Sequence, residues 1–435
     1  MAAVLRPQLQ DDVLAEDQVL RKVFKHLVTF LFILYIVAYL DRINIGFAAL
    51  SMNKELKLTA TMFGLANTIF YAGYALFEIP SNLMLTRFGA RRWIARILVT
   101  WGIFTVASAL ASGAASLYGN RLMIGIAEAG FVPGVLLYLT YWFPPTYRAR
   151  ATAMFLIAQP VTIALASPLS GLILDHANGL FGISGWRWLF LTEGIPAVIL
   201  GFVALFYLSD GPAGAKWLTE TEKVLLRRRL ERESIPAAKG SAWREVLSRD
   251  TILLSLSYFG LVVGLNSYAT WSPQIVRELM KVHSFSYVGL VTAFPAVLTA
   301  IAMPLWGARS DRKMERTAHL VLPIILAALG WLLVAFVHAP EVRMLGLIFC
   351  SVGAFAGMTI FWTIPPMVLS GAGLPIGLAF INMIGLSASS LSPLVVGFLK
   401  DLTHSWVSSL LYVVVMLVGA AGLVTLVKGS NRSRF

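Results

Sequence analysis

Four ionisable residues lie inside stretches that are otherwise apolar. Asp41 and Arg42 are neighbours in one stretch, and Arg121 and Glu128 share a later one. At the centre of a bilayer such a side chain costs roughly 2.5–3.5 kcal/mol on insertion scales, so it is retained for a function. A guanidinium group offers forked donors that match the two oxygens of a carboxylate, and a low dielectric favours the protonated form of a carboxyl. These residues predict a site that binds an organic anion together with protons.

The spacing of these residues indicates which of them can meet. Arg121 and Glu128 are seven residues apart, which is nearly two helical turns and about 10 Å along one face. A direct ion pair within that helix is therefore not expected. We assign Asp41 and Glu128 to proton coupling, and Arg42 and Arg121 to the substrate. The alternative is that Asp41–Arg121 or Arg42–Glu128 are structural pairs that lock the helices together.

Polar side chains in other apolar stretches supplement this set. Tyr35, Tyr39 and Arg42 fall at i, i+4 and i+7, which puts them on one stripe of a helix. A lone polar residue in a membrane helix often makes a helix–helix hydrogen bond instead of a ligand contact. The predicted substrate-binding residues beyond the arginines are Tyr39, Tyr74, Gln159, Trp362 and Asn382. The weaker candidates are Tyr35, Thr363, Glu78 and Glu193.

Glu78 and Glu193 allow two interpretations. Glu78 lies two residues before Pro80, and Glu193 follows a tryptophan-rich segment. The pair could form a second proton relay. The alternative is a structural role, with nearby backbone groups or the region of Arg187 as partners.

The composition requires helices that cross a membrane. The chain has 435 residues, of which 58% are hydrophobic and 13% are charged, so it is too apolar for a soluble globular protein. A bilayer core about 30 Å thick needs roughly 20 apolar residues per helix. The predicted spans are 24–48, 62–84, 93–112, 117–140, 150–174, 188–209, 251–275, 286–308, 318–338, 343–366, 375–397 and 405–427. We expect an all-α membrane protein of twelve transmembrane helices.

The distribution of charge predicts the orientation. The net charge is +13, but the basic residues cluster in loops between spans, which argues against nucleic-acid binding. Loops on the side of the N-terminus hold more Lys and Arg than the others, so both termini are expected in the cytoplasm. We expect a multi-pass monomer in a bacterial inner membrane, surrounded by the lipid bilayer. The predicted segments are a tail (1–23), a six-helix bundle (24–209), a cytoplasmic linker with a basic helix (210–250), a second six-helix bundle (251–427) and a tail (428–435).

The sequence lacks the residues that metal binding, ATP hydrolysis or enzymatic catalysis would need. The six histidines lie near span ends or in loops without clustered spacing, so no metal site is expected. No Lys is followed by Ser or Thr, which excludes a P-loop and with it ATP as the driving force through that motif. Cys350 is the single cysteine, so it forms no intramolecular disulfide. With no nucleophile–base pair visible, we expect a transporter without a cofactor and not an enzyme.

Two basic loops indicate an internal duplication. Residues 87–92 (RFGARR) join spans 2 and 3, and residues 307–313 (GARSDRK) join spans 8 and 9, at the same place in each half. The expected architecture is two six-helix halves with a site between them near the bilayer midplane.

The second of these loops resembles the signature cytoplasmic loop of the major facilitator superfamily. The resemblance implies that Asp311 and Arg312, with Arg91 in the first half, belong to gating loops. The first-half copy departs from the signature, since Ser81 stands where glycine is usual and Thr86 where aspartate is usual. A gating ion pair there must be built differently or be absent.

Longer segments resemble the anion–cation symporter branch of that superfamily. They are residues 39–48 (YLDRINIGFA), 73–82 (GYALFEIPSN), 121–134 (RLMIGIAEAGFVPG), 186–196 (WRWLFLTEGIP) and 397–401 (GFLKD). The resemblance covers nearly the whole chain. It implies the same roles for the two acids and the two arginines, and it implies that Gln159 and Asn382 contact the solute.

Short sequence segments in the first five spans indicate a class of substrate. Residues 45–50 (IGFAAL) and 90–96 (ARRWIAR) resemble the tartrate and aromatic-acid carriers of this branch. The resemblance implies proton-coupled uptake of a small organic carboxylate by alternating access, with a tartrate-like hydroxy dicarboxylate as the first choice. Three alternatives stay open: an aromatic acid such as hydroxyphenylacetate or phthalate, an uncoupled or exchanging anion facilitator, and sodium in place of the proton.

Overall fold

Twelve long helices, numbered α1 to α12, make up most of the protein. The computed structural model describes residues 14–233, 246–369 and 373–427. The first six helices, the N-half, are α1 (Leu14–Glu55), α2 (Ala60–Phe88), α3 (Ala90–Ser108), α4 (Ala114–Thr140), α5 (Pro145–His176) and α6 (Gly185–Tyr207). The other six, the C-half, are α7 (Arg249–Leu279), α8 (Phe285–Lys313), α9 (Thr317–Phe336), α10 (Pro340–Val368), α11 (Gly373–Thr403) and α12 (Trp406–Thr425).

Hydroxyl side chains start several of these helices. Thr59, Ser248, Ser284 and Ser405 accept hydrogen bonds from the first-turn amides of α2, α7, α8 and α12. Such caps satisfy backbone donors that the helix itself leaves unpaired. The helix starts are therefore encoded locally in the short segments between the apolar runs.

Each predicted span corresponds to one of the observed helices, but the boundaries differ. Most helices continue past the apolar run into charged residues, so that α1 covers Leu14–Glu55 instead of 24–48. The predicted third span reaches residue 112, whereas α3 ends at Ser108. The Arg187 guanidinium donates to the carbonyl of Ala109, one residue beyond that end. A side chain from α6 thus holds the turn that the apolar sequence alone does not indicate.

Two of the helices are less apolar than the other ten. Ten of the twelve are long and apolar enough to cross a membrane by length and composition. The exceptions are α2, which contains Asn67 and Glu78, and α3, which is only 19 residues long and carries three arginines in its first half. Both pack on strongly apolar helices, α2 on α4 and α11, and α3 on α6.

The packing of the helices repeats after six. In the N-half α3 packs on α6, α2 on α4 and α1 on α5; in the C-half α9 packs on α12, α8 on α10 and α7 on α11. Between the halves α5 packs on α8 as α11 packs on α2, and α1 meets α7 in the middle. The repeat agrees with a duplicated six-helix unit.

A short helix between the halves is bound to the start of α1. This linker helix, Glu220–Arg232, begins with a capping box formed by Thr219 and Glu222. Glu16 of α1 pairs with Arg229 and Arg232, at 3.2 and 2.7 Å. Lys22 pairs with Glu222 at 2.8 Å, and its hydrogen bond lowers the pKa of that carboxyl below the ordinary value of 4.5.

Two carboxylates hold the halves together at the end of the bundle remote from the linker helix. Asp401, near the end of α11, accepts hydrogen bonds from the first two amides of α2, at 3.2 and 2.7 Å. Asp175, near the end of α5, accepts from the first two amides of α8, at 3.1 and 2.7 Å. Free amides and the helix dipole favour an anion at both places. We call this end the closed end, and the other the linker end.

Glycines let the backbones of the two halves touch near the closed end. An added Cβ at Gly64, Gly171, Gly289 or Gly397 would overlap backbone atoms of the opposite half. Gly46 on α1 lies against the α7 backbone in the same way. Any larger residue at these positions would force the halves apart.

Candidate functional site

The first of two ion pairs is fully enclosed. A terminal nitrogen of Arg121 on α4 lies 3.3 Å from a carboxylate oxygen of Asp41 on α1, and both side chains are at most 1% exposed. Thr105 on α3 donates to the other oxygen of Asp41, also at 3.3 Å. The Arg121 guanidinium also lies 4.5 Å from the ring centre of Phe70. Asp41 and Arg121 therefore compensate each other's charge away from water.

The second ion pair, between Arg42 and Glu128, joins the same two helices. Arg42 donates to Glu128 at 2.6 Å, with exposed side-chain fractions of 18% and 1%. The Arg42 guanidinium lies 6.0 Å from the ring centre of Tyr39 and 5.6 Å from that of Tyr74. Such cation–π contacts are worth about 0.5–2 kcal/mol. The predicted residues Asp41, Arg42, Arg121 and Glu128 are thus brought together as two crossed pairs.

A break in α4 positions Glu128. The first part of the helix ends at Glu128, and the second begins after Gly130, whose φ is +82°. A side chain at position 130 would be strained by this backbone conformation, and its Cβ would overlap the Ser81 hydroxyl on α2. Because the last turn of a helix segment is short of intrahelical partners, the break frees this part of α4 to turn Glu128 towards Arg42.

Tyrosine and amide groups extend the site along α1. Gln159 on α5 donates to the Tyr35 hydroxyl at 2.5 Å, and the Tyr35 ring stacks on Phe155 with centroids 4.3 Å apart. Tyr39 meets Tyr35 edge to face at 6.1 Å. The predicted stripe of Tyr35, Tyr39 and Arg42 is therefore a continuous surface.

The three candidates in the C-half are uncharged. Trp362 lies at the break in α10 and meets Tyr258 of α7 edge-on, with centroids 5.0 Å apart. Thr363 donates to a carbonyl of its own helix at 2.7 Å. Asn382 is half-buried on α11. No hydrogen bond that the structure gives for its described residues joins these three side chains to the arginine pairs.

The two weaker acids differ in their surroundings. Glu78 on α2 is half-buried and close enough to Arg42 for their charges to interact. Glu193 on α6 is 5% exposed. The prediction that Glu193 pairs with the region of Arg187 is wrong, because Arg187 pairs with Glu55 at 3.1 Å. Arg187 sits near the start of α6, about 9 Å along the helix from Glu193.

The residues predicted for gating loops stay within their own halves. Asp311 pairs with Arg316 at 2.6 Å, between α8 and α9. The amide of Arg91 donates to Asp210, which follows α6, at 2.9 Å. Arg312 is exposed. Asp210 supplies a carboxylate at the start of α3, and Thr86 of the atypical loop sequence donates only to its own helix. A gating role for these residues stays a prediction.

The sequence analysis missed residues that connect the two halves beside the ion pairs. Tyr71 on α2 donates to Asn266 on α7 at 3.4 Å, and Asn266 donates to Ser389 on α11 at 2.6 Å. Tyr258 is also absent from the predicted set. Tyr71 precedes Tyr74 by nearly one turn, so the helical spacing could have identified it; single polar residues such as Asn266 carry no comparable signal.

The charges of this site balance in the structure described. Two guanidinium groups face two carboxylates, so an added anion would leave the site with an excess negative charge unless a proton accompanied it. A substrate carboxylate can replace the acidic side chain that is bound to either arginine.

Comparison with known proteins gives the same fold and family. The sequence profile of the Major Facilitator Superfamily matches residues 31–393. A D-xylose–proton symporter has a TM-score of 0.75 against this chain at 16% identity, covering 93% of this chain and 98% of its own. That likeness confirms the predicted twelve-helix architecture.

Two sequence relatives cover almost the full length. A protein of Agrobacterium vitis named "Putative tartrate transporter" is 42% identical over 416 residues, which is 95% of each chain. The quinolone resistance transporter of Acinetobacter baumannii is 34% identical and covers 93% of this chain and 94% of its own. On the profile, the relatives and the helical architecture together, the chain belongs to the major facilitator superfamily and is a membrane transporter, not an enzyme.

Proposed function

We propose that this protein is a secondary transporter that carries a small organic carboxylate anion together with protons, by alternating access to a site between its two halves. The observation that carries the proposal is the crossed arrangement of Asp41–Arg121 and Arg42–Glu128 in the bundle. The 42% identity to a protein named for tartrate supports an organic acid as the substrate.

Competition between side chains and substrate supplies the coupling. In the state described, each arginine is held by a carboxylate. Protonation of Asp41 and Glu128 removes their charge and leaves Arg42 and Arg121 to bind the substrate carboxylates. Deprotonation restores the ion pairs and expels the anion. Binding without protons would leave a buried carboxylate unpaired, which costs several kcal/mol.

A tartrate-like hydroxy dicarboxylate fits the polar part of the site. Two carboxylates would engage the two arginines, while Tyr39, Tyr74 and Gln159 would offer hydrogen bonds to the substrate hydroxyls. The second candidate is an aromatic acid, favoured by the ring surface of Tyr258 and Trp362. An uncoupled or exchanging anion facilitator would use the arginines without the acids.

The orientation follows from the charges at the linker end. Arg87, Arg91, Arg92 and Arg96 lie around the start of α3, and α8 ends with another basic group, so we assign this end to the cytoplasm of a bacterial inner membrane. The state described is then closed to the outside, and we propose that Asp311, Arg312 and Arg91 contribute to a gate at the inner face in another state of the cycle. We propose that the monomer is the working unit.

Uptake of radiolabelled tartrate into proteoliposomes tests this function. An imposed pH gradient, acid outside, is compared with and without sodium. Sodium-independent accumulation that is lost in Asp41→Asn supports proton symport. Accumulation of hydroxyphenylacetate or phthalate alone would move the substrate to the aromatic acids. Exchange that ignores the gradient would overturn the coupling roles of Asp41 and Glu128.

A further inference from the structure

A third buried carboxyl lies beside the two ion pairs. Glu193 on α6 is 5% exposed, and neither of its oxygens has a hydrogen-bond partner among the residues that the structure describes. A buried carboxylate without a partner is costly enough that the group stays neutral instead. The N-half therefore holds a proton for which the two ion pairs do not account.

The packing of α3 against α6 brings Glu193 close to Asp41. Gly194 and Gly102 allow these two helices to touch backbone to backbone. Thr105, one turn along α3 from Gly102, donates to Asp41. The two carboxyls are thus neighbours where α1, α3 and α6 meet.

The helices packed against α6 offer Glu193 no compensating cation in the described part of the chain. These helices are α1, α3 and α5. From α1 it is Asp41 that acts on Glu193, and the adjacent Arg42 is held by Glu128. The charged residues of α3 and α5 lie in the end turns of those helices: Arg91, Arg92, Arg96, Arg148, Arg150, Asp175 and His176.

We propose that Glu193 is the proton donor to Asp41 in the transport cycle. This inference rests on the proposed proton symport. In the state described, the proton is on Glu193 and Asp41 is ionised against Arg121. When a substrate carboxylate takes Arg121, Asp41 loses its cation and faces a second anion, so its affinity for a proton rises. The proton then moves from Glu193 to its neighbour.

The proton transfer balances without any other reactant. The transfer requires Asp41, once Arg121 has released it, to come within hydrogen-bond distance of Glu193. The O–H bond of the Glu193 carboxyl then breaks and an O–H bond forms on Asp41, which leaves Glu193 as the carboxylate and Asp41 neutral. Buried and unpaired, the Glu193 carboxylate takes a proton from water and returns to its neutral form. One proton therefore enters the protein for each substrate carboxylate that displaces Asp41.

The transport test uses Glu193→Gln, which imitates the neutral acid and preserves the packing. The probe is radiolabelled tartrate in proteoliposomes. We expect exchange at equal pH to continue, and accumulation driven by the pH gradient to fall by about tenfold per unit of gradient, because one coupled proton is lost. The double variant Asp41→Asn/Glu193→Gln should be no worse than Asp41→Asn alone, since both act on the same proton. Thr192→Val, on the exposed side of the same turn, is the control and should match the wild type.

An infrared measurement on the purified protein separates the possible failures. The C=O band of a protonated carboxyl should be present at neutral pH in the wild type and in Glu193→Asp, and absent in Glu193→Gln. If the wild type shows no gradient-driven uptake of any acid tested, the proposed symport fails, and the donor role fails with it. If the wild type accumulates tartrate but Glu193→Gln keeps the full proton-to-substrate ratio, only the role of Glu193 is overturned. The same holds if Glu193→Gln still shows the full carboxyl band of the wild type.

Discussion

The two arginines of the site differ in how easily a ligand can reach them. The side chain of Arg42 is 18% exposed, whereas that of Arg121 is 1% exposed. In the proposed mechanism an arriving anion would therefore meet Arg42 first, displace Glu128, and only then compete with Asp41 for Arg121. This order gives the outer pair control over affinity and the inner pair control over coupling.

Substitution of Asp41 by asparagine is expected to uncouple transport. The variant keeps the size of the side chain but cannot take a proton, and it leaves Arg121 without its buried counter-charge, a loss that costs about 3–5 kcal/mol when a buried pair is broken. Gradient-driven accumulation of tartrate should fall by at least about tenfold per unit of pH gradient, because one coupled proton is lost, while tartrate binding, measured by calorimetry, should persist or strengthen. Ser51→Ala, further along α1, serves as the control. Full accumulation by Asp41→Asn would contradict the coupling role.

Substitution of Arg42 by lysine should weaken binding without removing the charge. Lysine offers a point charge in place of a planar fork, and the lost charged hydrogen bond is worth about 1.5–3 kcal/mol, or roughly ten- to a hundredfold in affinity. The measurement is the KM for tartrate at a fixed pH gradient. An unchanged KM would argue that the substrate does not contact Arg42.

For single residues, the sequence identifies which charged side chains lie within the spans better than it identifies their contacts. Charged residues in apolar stretches are rare enough that Asp41, Arg42, Arg121 and Glu128 could be found by inspection. The pairs Asp41–Arg121 and Arg42–Glu128 could be named from the sequence as alternatives, but that both form together depends on how α1 crosses α4, which no spacing within a helix encodes. The isolation of Glu193 and the bridge from Tyr71 to Asn266 are also properties of packing.

At the scale of the helices, the residues at helix ends determine which helices meet more than the apolar middles do. The apolar runs are interchangeable as membrane spans, but Asp175 and Asp401 each bind the start of one helix in the opposite half. The sequence indicates that these acids stand at span ends, and it cannot indicate which helix start they reach.

Replacement of Asp401 by asparagine should loosen the closed end. Asparagine has one acceptor oxygen instead of two and turns a donor towards the α2 amides, so the variant loses a charged hydrogen bond worth about 1.5–3 kcal/mol. The readout is labelling of a cysteine introduced at Ser390, whose backbone lies 2.5 Å from the Thr68 hydroxyl across the seam. Labelling by a membrane-impermeant maleimide should accelerate several-fold.

The background for this experiment is low, because the native Cys350 is buried. Glu278→Gln is the matched control: Glu278 lies at the same end but pairs with Lys400 inside the C-half. Equal labelling rates in Asp401→Asn and the control would show that the cap does not hold the seam.

At the scale of the whole molecule, the linker helix belongs to the N-half through its contacts with α1. Glu16 is 2% exposed and lies between two arginines of the linker helix. The basic character of residues 223–232 indicates a cytoplasmic segment from sequence alone, while its docking on α1 depends on long-range ion pairs that sequence patterns do not encode.

Acid should release the linker helix. The pKa of Glu222 is lowered by Lys22, so the Lys22–Glu222 contact stabilises the docked form above pH 4.5 and loses that contribution as the pH falls through the lower, folded-state value. The protection of residues 220–232 against hydrogen exchange, corrected for the intrinsic pH dependence of amide exchange, should fall on acidification in the wild type. In Lys22→Gln the exchange should already be faster at neutral pH and depend less on pH over the same range. Identical pH profiles would exclude this contact as the cause.

The glycine contacts between the halves have a mechanical consequence. The α2–α11 and α5–α8 seams lie on either side of the α1–α7 contact, where Gly46 touches the opposite backbone. Neither seam can act as the hinge for the other, because both lie at the same end of the bundle. Opening of this end therefore requires the two seams and the Gly46 contact to part together. Backbone contacts of this kind also lose their attraction within about an ångström of separation, which makes the closed end either shut or open with little in between.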